Sequence, residues 1–383
     1  MNSKEKMIAV HQEVFGEEPL VVRSPGRINI IGEHTDYNNG FVLPAAVDKY
    51  VYVSISPRED REISLYSVSY TEKAGSSLDR LEPLPQQWAN YVIGVTYELA
   101  SRLDKGFNMC IDGNVPLGAG MSSSAALESA VGFALSTVYD LQIDRMELAL
   151  IGQRCEHRFI GVKCGIMDQF ASLFGKAGQV VRLDCRDLSY AYFPLDLGEY
   201  ELVLLNTNIK HSLASSAYND RREQCERAVE LLKAVYPAVE SLRDVTLEML
   251  DKVVKDQAPE AYTKARFVVE EIARVEDSCE KLQQGDIVAL GRNMYATHLG
   301  LSRDYEVSCP ELDFLVEYVK PLPEVIGARM MGGGFGGCTI NIVHRSFVEE
   351  LLDGARISYK KQFGIELEHY SVELRNGTEI VSA

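Results

Sequence analysis

The sequence has no surplus of positive charge to offer a polyanion. Its 39 Lys and Arg stand against 56 Asp and Glu, a formal net charge of −17. A field of that sign repels nucleic acid and anionic membrane at long range, so neither is expected as a partner. Long apolar runs are missing too: no window approaches the roughly 18 to 20 residues that a spanning helix needs. The opening residues Met1 to Met7 mix charges and lead into no apolar segment, unlike a secretory signal. The eight cysteines, Cys110, Cys155, Cys164, Cys185, Cys225, Cys279, Cys309 and Cys338, include no C-x-x-C pair and no zinc-like spacing. Reduced thiols and a cytoplasmic protein are the expectation. There is also no internal repeat, no low-complexity tract and no G-x-x-x-x-G-K-S/T phosphate loop.

What remains suits a folded enzyme-sized chain. Apolar residues make up 46% and charged residues 25% of 383 positions, close to the globular average. At roughly 150 residues per domain the length suggests two. Met7, Val10 and Val14 recur at helical spacing until Gly16. Leu20–Val22 and Ile28–Ile31 read as short strands flanking Ser24-Pro25-Gly26, Tyr50–Ile55 as another, with 62–69 as its partner. Helices are expected over 87–103, 122–139 and 144–159, and strands over 107–112, 178–184 and 201–206. From about 214 to 300 the pattern turns helical and charged. It then closes with helix (310–319), strand (326–331), strand (338–343), helix (347–361) and strand (366–373), the order of a split βαβ, ferredoxin-like unit. The best boundary falls near residue 195, around Pro194 to Gly198.

Three segments stand out. In Gly113-Asn114-Val115-Pro116-Leu117-Gly118-Ala119-Gly120-Met121-Ser122-Ser123-Ser124, a strand ends, a small-residue loop follows and a helix opens. Glycines admit close backbone approach, the helix N-terminus presents unpaired N–H groups, and a serine hydroxyl can ligate magnesium, so the segment suits nucleotide phosphates. The alternative is a serine N-cap after a tight turn. In Gly26-Arg27-Ile28-Asn29-Ile30-Ile31-Gly32-Glu33-His34-Thr35-Asp36-Tyr37, two carboxylates and an imidazole are packed as several sugar hydroxyls would require. A polar hairpin facing water and a metal site are the alternatives. Gly332-Gly333-Gly334-Phe335-Gly336-Gly337 costs folding entropy unless a conformation or a ligand needs it; a flexible hairpin is the other reading. A quieter fourth segment, Cys164-Gly165-Ile166-Met167-Asp168-Gln169, places an aspartate where an N-cap is common.

In this order the segments resemble those of the GHMP small-molecule kinases and, within them, the galactokinases, over about residues 20 to 345. The resemblance implies a two-domain α+β fold. Its N-terminal α/β GHMP-kinase domain (ribosomal protein S5 domain 2-like, 1–195) carries the sugar signature and the ATP loop. Its C-terminal ferredoxin-like α+β domain (196–383) carries the glycine-rich loop. It implies ATP-dependent phosphorylation of D-galactose at the C1 hydroxyl, with Mg2+; a monomer is the expectation for the chain itself. Asp168 corresponds to the family's general base and Arg27 to the arginine beside it. Glu33, His34, Thr35, Asp36, Gly165 and Tyr218 fall on the sugar-binding positions. Gly118, Ala119, Gly120, Met121, Ser122, Ser123 and Ser124 fall on the ATP loop, with Ser67 a further ATP position. Ser124 and Glu156 match the magnesium ligands. A kinase for N-acetylgalactosamine, galacturonate or arabinose, and a galactose and ATP sensor without turnover, share the fold and stay open as alternatives.

Overall fold

The computed structural model describes residues 3–210 and 214–381. The first half runs α1 (Ser3–Phe15), β1 (Leu20–Asn29), β2 (Phe41–Val42), β3 (Pro44–Pro57), β4 (Glu62–Ser67), β5 (Glu72–Ser77), α2 (Gln87–Leu99), β6 (Phe107–Gly113), α3 (Ser123–Val138), α4 (Arg145–Cys155), α5 (Met167–Phe174), β7 (Gln179–Asp184) and β8 (Tyr190–Pro194). The second runs β9 (Tyr200–Lys210), α6 (Ala214–Val235), α7 (Leu247–Val253), α8 (Pro259–Gln284), α9 (Ile287–Arg303), α10 (Pro310–Val319), β10 (Val325–Met330), β11 (Gly336–His344), α11 (Val348–Phe363), β12 (Glu368–Val372) and β13 (Glu379–Ile380). Among the described residues no helix is long and apolar enough to cross a membrane.

A six-stranded sheet ordered β13-β1-β3-β6-β4-β5 forms the N-terminal lobe, with a small sheet β2-β7-β8 beside it. The C-terminal lobe is built on an antiparallel sheet ordered β10-β11-β9-β12, the ferredoxin-like arrangement the closing pattern predicts. The chain passes from one set of sheets to the other between Pro194 and Tyr200. It does not stay there: β13 returns to pair with β1.

Helix α3 is the spine of the first lobe. Ala125, Ala126, Ser129, Ala130, Gly132 and Ala134 are all buried, and small side chains on every face let sheet and helices close in around one helix. One continuous apolar core then extends from Val22 through both lobes to Val372.

Two strand expectations need correction. Leu20–Val22 and Ile28–Ile31 are not separate strands: β1 runs through from Leu20 to Asn29 with a register shift between Pro25 and Arg27, and Ile30 and Ile31 lie beyond its end. The 62–69 segment does not pair with Tyr50–Ile55; β4 lies parallel to β6, which is buried and takes the central place beside β3.

Candidate active site

The loop from β6 to α3 forms one wall of a cavity of about 620 Å3, lined by Ser67, Tyr70, Trp88, Tyr91, Leu117, Ser123 and Ser124 among others. Gly118 and Gly120 both sit at φ +75°, in the left-handed region that favours glycine. Ala119 and Met121 bury their side chains in the core, which leaves only their backbone to a ligand. Ser122 is no N-cap by side chain. It adopts φ +53° and its hydroxyl donates to Asp168 Oδ2. The N-terminus of α3 therefore opens at Ser123 and Ser124 onto the cavity, where its unpaired N–H groups and dipole favour an anion.

A second cavity of about 300 Å3 shares Tyr91 and Ser124 with the first. Arg27, Glu33, His34, Asp36, Glu156, Gly165, Asp168, Tyr218 and Gly333 line it. The two spaces therefore meet at Tyr91 and Ser124, and Asp168 lines the second.

Asp168 lies in the first turn of α5 but caps nothing. Its two oxygens take Arg27 Nε and Nη2, each at 2.8 Å, in a forked pair. Arg27 is itself fixed: its Nη1 donates to Gly120 O and its backbone N to Met121 O at 3.1 Å. The β1 irregularity thus ties the base candidate to the phosphate loop. A Cβ on Gly26 would stand 2.7 Å from Met121 O, so that approach requires glycine.

The 33–36 turn is no hairpin facing water, for all four residues are buried or nearly so. His34 sits at φ +61°, its Nδ1 2.7 Å from Tyr37 Oη, while its buried Nε2 has no hydrogen-bond partner. Burial pushes its pKa down to about 4, so the imidazole is neutral. Burial, reinforced by the charge of Asp168, raises Asp36 to about 7. Gly165 is obligatory against it, because a Cβ there would fall 1.9 Å from Asp36 Oδ2. Tyr218 packs on His34 and Tyr37 with ring centroids 5.2 and 5.5 Å apart. Thr35 does not face the cavity: its buried hydroxyl shares its one proton between Gly32 O at 2.9 Å and Phe41 O at 2.6 Å, bracing the turn from behind.

Glu156 does not face solvent. It begins a π-helical turn after α4 and is buried, and burial raises its pKa to about 7, a shift that the nearby Ser124 hydroxyl opposes. The C-terminal glycine loop is no loose hairpin either. Gly337 packs against Gly118 and Gly120, where an added Cβ would be 3.5 Å away, and Gly334 would strike Val307 O at 2.1 Å.

Sequence reasoning missed two buried charged residues behind the 33–36 turn. Arg329 on β10 bonds to Glu33, and Glu271 on α8 accepts Gly32 N at 2.9 Å. A charged residue inside an apolar strand, as in Val325-Ile326-Gly327-Ala328-Arg329-Met330, was the available signal.

The glycine-rich loop before α3 thus adjoins a cavity lined by carboxylates, a guanidinium and an imidazole, the setting of a small-molecule kinase of the GHMP type, and comparison with known proteins agrees. The family models for the N-terminal and C-terminal GHMP kinase domains match residues 90–176 and 279–361. The model of the galactokinase galactose-binding signature matches residues 9–57. The chain is 41% identical to a galactokinase of Chloroflexus aurantiacus, covering 92% of each chain. It is also 41% identical to one of Thermotoga petrophila, covering 94% of this chain and 99% of that one. The crystal structure of Lactococcus lactis galactokinase complexed with galactose superposes with a TM-score of 0.95 at 34% identity, covering 99% of this chain and 100% of that one. Methanococcus jannaschii mevalonate kinase, at 16% identity and a TM-score of 0.62, shares the fold alone. The chain belongs to the galactokinase family of sugar kinases, whose co-substrate is ATP.

Proposed function

We propose that this chain transfers the γ-phosphoryl group of ATP to the C1 hydroxyl of D-galactose, giving α-D-galactose 1-phosphate and ADP. The observation that carries this reading is the forked Arg27–Asp168 pair lining the cavity that shares Ser124 with the cavity at the glycine-rich loop. A hydroxyl placed there can be held by Asp168 on one side while its oxygen faces a phosphate on the other.

Phosphoryl transfer through a loose transition state asks the protein for alignment and charge compensation more than for covalent chemistry. Glu33, Asp36, the free Nε2 of His34 and the Tyr218 hydroxyl grip the sugar hydroxyls. Gly165 lets the backbone close on the ring. Asp168 orients the C1 hydroxyl and takes its proton as the O1–P bond forms and the bond from phosphorus to the ADP oxygen breaks. Arg27 holds Asp168 in place and adds positive charge near the transferring group. Ser67, the backbone of Gly118 to Met121, and the N–H groups at Ser123 and Ser124 receive the nucleotide. In this reading the division near residue 195 separates a lobe bearing the phosphate loop and sugar turn from one bearing Tyr218 and the glycine loop.

The donor set at Ser124 and Glu156 fits magnesium. The Ser124 hydroxyl lies near a buried carboxylate whose pKa the charge of Asp168 helps to raise, and among the described residues no ion pair gives Glu156 a cation. Among the described residues no three His, Cys, Asp or Glu side chains gather as a closed metal cage. Magnesium typically takes one or two carboxylates and completes its shell with water and phosphate oxygens. Bound there, it neutralises phosphate charge.

A coupled ADP-release assay across galactose, glucose, N-acetylgalactosamine, galacturonate and arabinose tests the proposal, with galactose expected to give the highest kcat/KM. Binding of galactose without turnover on any sugar would favour the sensor reading. D168N should keep its circular dichroism and lose on the order of a thousandfold in kcat. Near-normal turnover would remove Asp168 as base.

A further inference from the structure

Glu33 presents its cavity-lining carboxylate in one orientation only. Arg329 Nη2 donates to its Oε1 at 3.0 Å, and Gly332 N donates to the same oxygen at 2.8 Å. Both donors come from the C-terminal lobe and converge on one atom, leaving Oε2 as the oxygen for a ligand. Arg329 itself has 0% of its surface exposed and does not line the sugar cavity. Its Nε donates to Ile30 O at 2.8 Å, its Nη1 to Met330 O at 2.6 Å, and its Nη2 also to Asn29 O. The guanidinium thus spans the end of β1, the start of the glycine loop and the sugar turn at once. Only a planar fork of five donors reaches acceptors in so many fixed directions; an ammonium on a flexible stem does not.

The same contacts lead on to the phosphate loop. A Cβ on Gly332 would lie 3.5 Å from Gly120 O, the oxygen that accepts Arg27 Nη1. The Glu33 carboxylate is therefore set relative to the loop that anchors Arg27 and, through it, Asp168.

We propose that Arg329 is a positioning residue for the sugar: it locks Glu33 with Oε2 facing the cavity and so sets galactose affinity without touching the substrate. This rests on the reading of Glu33 as a sugar-binding group. A buried arginine that merely held the fold together would, when replaced, damage every kinetic constant alike. One that aims a sugar ligand raises the galactose KM selectively.

The test compares full-length wild type, R329K, E33Q and the double variant R329K/E33Q, by steady-state kinetics for both substrates and by calorimetric galactose binding. R329K is expected to raise the galactose KM and Kd about tenfold, the scale of one charged hydrogen bond. The ATP KM should stay within about twofold, and kcat within about threefold. The double variant should bind galactose no more than about twofold worse than E33Q, because the arginine acts through that carboxylate. Equal rises in both KM values, or losses that multiply in the double variant, would overturn the inference. So would a normal galactose KM in R329K beside a defective E33Q, which leaves the reading of Glu33 intact. A normal galactose KM in E33Q removes that reading, and the inference with it. If R329K does not accumulate folded, R329M in the E33Q background, where no buried charge is stranded, is read against E33Q by the same criterion.

Discussion

At the scale of single residues, the site places charge where burial resists it. Asp36 has its proton held to about pH 7 in the folded chain, against an ordinary value of 3.8. Between those values the folded state binds a proton that the unfolded state releases. Its contribution to stability therefore falls as the pH rises through that window and stays lost above it. D36N should accordingly unfold at a higher temperature than wild type at pH 8, with the gain shrinking at pH 6. Its galactose KM should rise on the order of tenfold. For the wild type, the galactose KM should fall between pH 6 and 8, since sugar hydroxyls donate best to the charged carboxylate. Thermal unfolding and kinetics at three pH values check both statements; a flat KM profile contradicts them. The candidates Arg27, Glu33, His34, Asp36, Gly165 and Asp168 were legible as contiguous motifs. Thr35 was read with them, yet a hydroxyl inside such a motif can serve the backbone as readily as a ligand, and here it braces the turn.

At the scale of elements, α1 is docked by a histidine that must stay neutral. His11 is buried between Ser54 and Ser56 of β3, with ring nitrogens at 3.0 and 2.9 Å from their hydroxyls. Burial lowers its pKa to about 4, against the partial opposition of Glu17. The unfolded chain takes up this proton near pH 6.5, so the stability it contributes is present above that value and declines as the pH falls towards 4. Amide hydrogen exchange in α1, corrected for intrinsic rates, should accelerate between pH 6.5 and 4.5 before that of α3, and H11Q should blunt the change. Uniform protection across both helices would refute this. The periodicity of Met7, Val10 and Val14 foretold the helix but not its docking, which depends on serines on a strand some forty residues away. The same reasoning covers β4: its alternating pattern marked a strand, while its neighbour was chosen by the burial of β6.

At the scale of the whole molecule, the two lobes are not independent. The end of the chain crosses back from the C-terminal lobe, and Thr378, fully buried, bonds through its backbone N and its hydroxyl to Ser172 O at 2.8 and 2.9 Å. Arg145 Nη2 donates to Thr378 O at 2.8 Å. Deleting residues 374–383 should lower the melting temperature by on the order of 5 °C, as several buried hydrogen bonds and a strand pair are lost. Calorimetry should still show one transition, because one apolar core spans both lobes. Two separated transitions in the intact chain would contradict that continuity.

Local structure was readable along the chain wherever it depends on neighbouring residues: helical spacing, glycines at tight turns, the glycine-rich loop opening a helix, the cluster of polar residues at 33–36. The meeting of Arg27 with Asp168 across 141 positions and of Glu33 with Arg329 across 296 arises only on packing. Spacing along the chain carries no information about such pairs. A charge becomes a bond partner or a liability according to how much water the fold removes from it, and that is settled by the way the sheets and helices close around it.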